Sequence, residues 1–144
     1  MSESSPPSPD DAAHSPEDDD PLVDLALRVA GGVIAVVAAV VTAAAELILS
    51  TLRVGGTLIG LAALIAVVAN VLLSRFAYVT VGRKWAVALP AVAWFVVIFI
   101  AATGTAEGDI GLAANNWVGL AIVTLGSLTF GVMAFRLITA SVRR

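Results

Sequence analysis

Four stretches almost free of charge constrain this chain more than any other feature. Between Arg28 and Arg53 lie 24 residues with one charge, Glu46. Between Arg53 and Arg75 lie 21, between Lys84 and Glu107 lie 22, and between Asp109 and Arg136 lie 26, all uncharged. A helix crossing a bilayer needs roughly 20 mostly apolar residues. The runs are continuous rather than alternating, which suits helices and not barrel strands, and backbone in lipid must satisfy its own hydrogen bonds. The expected fold is all-α, a four-span transmembrane helix bundle with spans at about 25–50, 54–74, 85–103 and 117–138. The start of the fourth run, 111–116, reads as loop.

A different chain precedes the spans. Residues 1–21 hold five of the six prolines and seven acids, and no Lys or Arg comes before Arg28. Such a segment cannot bury enough apolar surface to offset its ordering entropy. Residues 1–21 are therefore expected to form a disordered, acidic, Pro/Ser-rich cytoplasmic tail, and 22–144 the transmembrane domain. The tail lacks the basic start and early apolar run of a secretory signal. The formal charge of −3 divides into about −8 over residues 1–24 and +5 over the rest. The basic residues are spread along the chain without interleaved aromatics, so no nucleic-acid partner is expected.

Those basic residues set the expected orientation. Four spans place both termini on one side, together with Arg28, Arg75, Arg83, Lys84, Arg136, Arg143 and Arg144. Arg53 alone falls on the other side. Basic residues concentrate on the cytoplasmic face. A multi-pass protein of the cell (plasma) membrane with both termini cytoplasmic is expected. Tyr78 and Trp85 then sit near the inner boundary and Trp117 near the outer one, where interfacial aromatics collect.

The connections differ. A short turn around Ser50–Gly56 makes helices 1 and 2 a hairpin. The segment from Arg75 to Lys84 is amphipathic enough to lie along the inner surface. The outer loop Thr103–Asn116 is rich in Gly, Asn and Thr. Membrane helices associate where small residues allow close approach. Gly31, Ala35, Ala39 and Ala43 recur at four-residue spacing, Gly56 and Gly60 form a GxxxG, and Ser127 and Gly131 repeat that interval. These are candidate packing positions, within the chain or with a partner, although Ala and Gly are also simply abundant. Pro90 marks the start of helix 3, where a missing N–H costs least.

Few polar residues enter the membrane. Glu46 lies ~10 Å from Arg53 along a helix axis, in the outer half. An intramembrane acid is a functional candidate by default, through proton or ion handling. The structural alternative is a carboxylate paired with Arg53 or capping polar groups near the outer surface. Asn70, placed near the inner end of helix 2, is read as an interhelical hydrogen-bonding amide, and Arg28 can snorkel to the headgroups. Glu107 and Asp109 form a small acidic pair in the outer loop, and two carboxylates do not make a calcium cage.

Ordinary catalytic constellations are missing from the sequence. There is no Cys, and the lone His14 lies in the tail. No Ser–His machinery, haem ligand or Cys/His zinc set can be assembled in the spans. No phosphate-cradling glycine motif is present. No enzyme, cofactor or metal site is expected.

Residues 82–110 carry a resemblance through Arg83-Lys84, Leu89-Pro90-Ala91, Trp94-Phe95 and Glu107-Gly108-Asp109. The stretch resembles a family of small, uncharacterised four-helix integral membrane proteins of actinobacteria. It covers about a fifth of the chain. No activity comes with it, but the resemblance raises the interest of Pro90, Trp94, Glu107 and Asp109.

Three functions compete. The first is a non-enzymatic accessory or scaffold protein whose helices pack against a larger membrane protein partner, with an acidic tail free to dock a basic surface; a homo-oligomer is the other assembly left open. The second is a small proton- or ion-coupled transporter or channel using Glu46. The outline is similar to that of small multidrug transporters, which have four helices and a glutamate in the first. The seven-to-one charge bias and the absence of aromatics from helix 1 depart from that pattern. A signalling role for the tail, through Ser15 in its acidic setting, is a third.

Overall fold

The computed structural model describes residues 20–54, 57–58, 60–103 and 116–140. The proposed tail through residue 19, Gly56, Glu107 and Asp109 lie outside the described residues. Four helices dominate: α1 (Pro21–Ser50), α2 (Leu61–Val81), α3 (Ala88–Thr103) and α4 (Trp117–Thr139). All four transmembrane segments, with α3 counted from its 3₁₀ lead-in at Lys84, are long and apolar enough to cross a bilayer. The protein is a multi-pass transmembrane helix bundle.

Helix α1 begins at Pro21, four residues before the expected start. The Asp20 side chain accepts a hydrogen bond from the Leu22 N–H at 3.0 Å, and Pro21 occupies the first helical position. An acidic N-cap followed by proline is a helix-start signal, and it outweighs the polar composition that assigned these residues to the tail. The 30 residues of α1 span ~45 Å against a hydrocarbon core of ~30 Å.

Helix α2 corrects the expected register. It runs seven residues later than the charge gaps suggested. After Ser50 the chain leaves the helix and forms two short antiparallel strands, β1 (Arg53–Val54) and β2 (Thr57–Leu58), with Arg53 opposite Leu58. Gly60 then caps α2. Glycines disfavour a helix interior, so Gly60 of the GxxxG marks the start of α2 rather than lying on a helical face. At the other end α2 runs straight through Arg75 to Val81, and no surface-lying segment separates α2 from α3. Arg75 is exposed six residues before the helix ends, within snorkelling reach of the headgroups. Gly82, at φ 71°, terminates α2, donating its N–H to the Tyr78 carbonyl at 2.9 Å. A single 3₁₀ turn, Lys84–Val87, leads into α3, with Pro90 in its first turn as expected.

The helices pack in an order the sequence leaves open. Helix α1 lies along α2 and α3, and α2 lies along α4, whereas α3 and α4 scarcely meet backbone to backbone. The small-residue stripe of α1 is consumed inside the bundle: Gly31, Gly32, Ala35, Ala39 and Ala43 are all buried. On α2 the residues Ala62, Ala66, Asn70, Ser74 and Ala77 are likewise buried. A Cβ on Gly31 would come within 2.6 Å of the Thr80 Cβ, so the α1–α2 approach depends on that glycine. Close backbones gain dispersion contacts that lipid tails cannot supply equally.

The two ends of the bundle differ in composition. One end carries the α1–α2 hairpin, the end of α3 and the start of α4; we call it the hairpin end. The other carries the start of α1 and the α2–α3 connection; we call it the tail end. Asn116 ties the hairpin end together. Its Oδ1 accepts from the N–H groups of Val118 and Gly119, and its Nδ2 donates to the Ser50 carbonyl at 3.1 Å.

Candidate functional site

Glu46 sits four residues before the end of α1, ~6 Å inside the hairpin end by helical rise. Its face of α1 continues the small-residue stripe, so the carboxylate is turned into the bundle, where it is fully buried. The expected pairing with Arg53 does not form. Arg53 lies beyond the helix end in β1 and is exposed, so the seven-residue helical return no longer applies. The partner is Trp94 of α3 instead. Its indole Nε1–H donates to Glu46 Oε2 at 2.9 Å. Both side chains are fully buried.

Trp94 occupies the middle of α3, nine residues before Thr103. Asn70 and Gly126 lie at the same depth, nine residues into α2 and α4 from the hairpin end. Asn70 is therefore at mid-span rather than near the tail end, a consequence of the shifted α2 register. Gly126 makes room for the indole. A Cβ there would fall 2.5 Å from Trp94 Cζ2 and 3.2 Å from Asn70 Nδ2. Trp94 thus links three other helices: its indole bonds Glu46 of α1 nearer the hairpin end, and it packs over Gly126 of α4 beside Asn70 of α2 at mid-span.

Aromatic rings fill the gap that α3 and α4 leave. Trp94 packs on Phe130 at 5.8 Å between centroids, and Phe95 on Phe130 at 6.4 Å. Ala43, Ala66, Ile98, Val118 and Ile122 complete an apolar jacket around the polar centre. Within that jacket, three polar atoms have no hydrogen-bond partner: Glu46 Oε1 and both Nδ2 and Oδ1 of Asn70. An amide in apolar surroundings without partners costs several kcal/mol in the extreme and roughly 1–3 kcal/mol in proteins. The interhelical bond expected of Asn70 is absent; only its backbone carbonyl is used, by Ser74 Oγ at 2.7 Å.

The other expected packing positions separate. Gly60 meets Trp117, whose ring would stand 3.0 Å from an added Cβ. Ser127 is half-buried and donates to its own helix at the Val123 carbonyl. Gly131 faces open space. The glycine that matters on α4 is Gly126, one position from the predicted stripe. Sequence reasoning did not single it out, and an isolated glycine inside a long span was its one signal.

At the tail end, Arg28 is held in place. Its Nε donates to Asp24 Oδ2 at 2.8 Å and its Nη1 to the Val81 carbonyl at 3.3 Å. Gly82 permits that approach, since a Cβ there would come 3.2 Å from Nη1. Among the described residues no three potential metal ligands converge. The arrangement offers one buried carboxylate, one unpartnered amide and no second acid or base beside them. Comparison with protein-family models, with curated proteins and with solved structures finds no match.

Proposed function

We propose that this chain is a non-enzymatic accessory or scaffold protein of a plasma membrane, with both termini in the cytoplasm. One observation carries the reading: the intramembrane polar side chains Glu46 and Asn70 are turned inward and sealed from every side, leaving the flanks to face lipid or a partner. A transport path needs polar groups that line a route, and no described groove reaches Glu46. The orientation is supported by Arg28, Arg75, Arg83, Lys84 and Arg136 at the tail end against Arg53 at the hairpin end. The composition of the complex extracted from native membrane in mild detergent tests the reading. A foreign partner at fixed ratio is expected; a chain that comes out as a monomer or only with itself contradicts it.

A second reading keeps Glu46 as a proton- or ion-handling group. The unpartnered Glu46 Oε1 and Asn70 amide favour it, because such atoms suit transient water or ions. Flux into vesicles separates the two. Equal flux with and without wild-type protein, unchanged by Glu46→Gln, fits the accessory role. A protein-dependent flux removed by Glu46→Gln supports the second reading.

A further inference from the structure

The larger groove lies at the tail end, on the lipid-facing flank between the first half of α1 and the α2–α3 connection. Its volume is about 850 Å³, within the ~300–1,000 Å³ of small-molecule sites. The trough is apolar, walled by Val29, Val33, Val36 and Val37 of α1 and by Leu89 of α3. Arg28, Arg83 and Trp85 stand at its mouth with Asp24. Apolar depth and a cationic mouth are the two halves of an amphiphile site.

The geometry points to this groove as the binding site of one anionic phospholipid from the leaflet at the tail end, its phosphate held by Arg28 and Arg83 and an acyl chain laid along the valines. The inference does not depend on the accessory role. Three observations converge on it. First, the Asp24 carboxylate is already engaged by Arg28 Nε. Arg83 has no ion pair among the described residues, so the mouth keeps net positive charge. Second, Arg28 is oriented in advance by the Val81 carbonyl, which reduces the ordering cost of gripping a phosphate. Third, the exposed Trp85 ring stands beside the mouth, at the level where aromatic residues meet headgroups. Basic pockets between spans at a cytoplasmic surface suit anionic headgroups. A valine trough has no use for a Pro- and Asp-rich segment, which makes a lipid a better occupant than the chain's own acidic tail.

Native mass spectrometry of the full-length protein, released from mixed phosphatidylglycerol and phosphatidylcholine of identical chains, tests the proposal. The wild type is expected to retain one phosphatidylglycerol in preference to phosphatidylcholine. Arg28→Gln and Arg83→Gln should each lower that preference about fivefold, in line with the contribution of one basic side chain at a charged surface. Val33→Trp, which puts a bulky ring across the trough wall, should weaken retention of the bound lipid. Arg53→Gln at the opposite end should leave retention unchanged. Equal retention of both lipids, or a preference untouched by both arginine variants, overturns the proposal. So does binding of glycerol 1-phosphate as tight as that of the whole lipid, which would make the mouth a free phosphate site. If wild type holds no lipid but Glu17→Gln with Asp18→Asn and Asp19→Asn gains one, the tail is the occupant and the proposal fails.

Discussion

The bundle handles polarity in opposite ways at its centre and at its tail end. In the interior, Glu46, Asn70 and Trp94 are all fully buried, and among their side-chain polar groups only the indole–carboxylate contact is satisfied. At the tail end, Arg28 is tied by two hydrogen bonds yet borders an open groove. The backbone explains the difference. Near the centre, alanines draw α1 against α2 and the Trp94 ring fills the space toward α4. At the tail end α1 continues ahead of the bundle, with Leu22, Leu25 and Leu27 exposed, and among the described residues no neighbouring helix covers that flank. A polar residue within a span is thus not a site by itself; what decides its use is whether a neighbour closes over it.

The sharpest way to break this contrast is to empty the centre. Trp94→Ala should destabilise the bundle by about 3 kcal/mol, from the cavity alone, since lipid supplies little hydrophobic penalty. It also leaves Glu46 without its partner. Thermal unfolding in detergent reads the loss. Overfilling the centre is next: Gly126→Val should cost about 2 kcal/mol by pushing the indole off its seat, whereas Gly131→Ala, facing open space, should stay within about 0.5 kcal/mol of wild type. A double-mutant cycle of Glu46→Leu, which removes the acceptor, and Trp94→Phe, which removes the donor, should give a coupling of about 1 kcal/mol. Additive losses in that cycle would show that the hydrogen bond contributes nothing of its own. One change has the opposite sign. Asn70→Leu removes two unpartnered polar atoms for a side chain of similar shape, and it should raise stability by roughly 0.5–1 kcal/mol.

The number of spans was legible because each required an uncharged run. Their edges were less so, since charge was treated as a boundary. Arg75 shows why that fails: a long side chain can leave a helix at an angle and reach the headgroups while its backbone stays inside. Asp20-Pro21 and the glycines at 55, 56 and 60 carried the better edge signals. Glu46 and Asn70 stood out by residue type, but their depth and partners depended on the register of α2 and on which helices touch. The Glu46–Trp94 contact joins residues 48 apart in sequence, which local pattern cannot reach. The one hint was chemical: a buried indole needs an acceptor, and Glu46 is the only acid within the four uncharged stretches.

Because the chain has no cysteine, single thiols can report whether the centre is closed. Ser50 and Ser74 are fully buried and flank it on the two sides, and Leu25 borders the open groove. The reaction of Ser50→Cys and Ser74→Cys with a small, membrane-permeant thiol reagent in native membrane, timed against Leu25→Cys, is the most direct measurement. A sealed structural centre predicts no modification of Ser50→Cys or Ser74→Cys while Leu25→Cys reacts to completion. Modification of either one at the rate of Leu25→Cys would contradict that account and show that a small solute reaches the interior around Glu46.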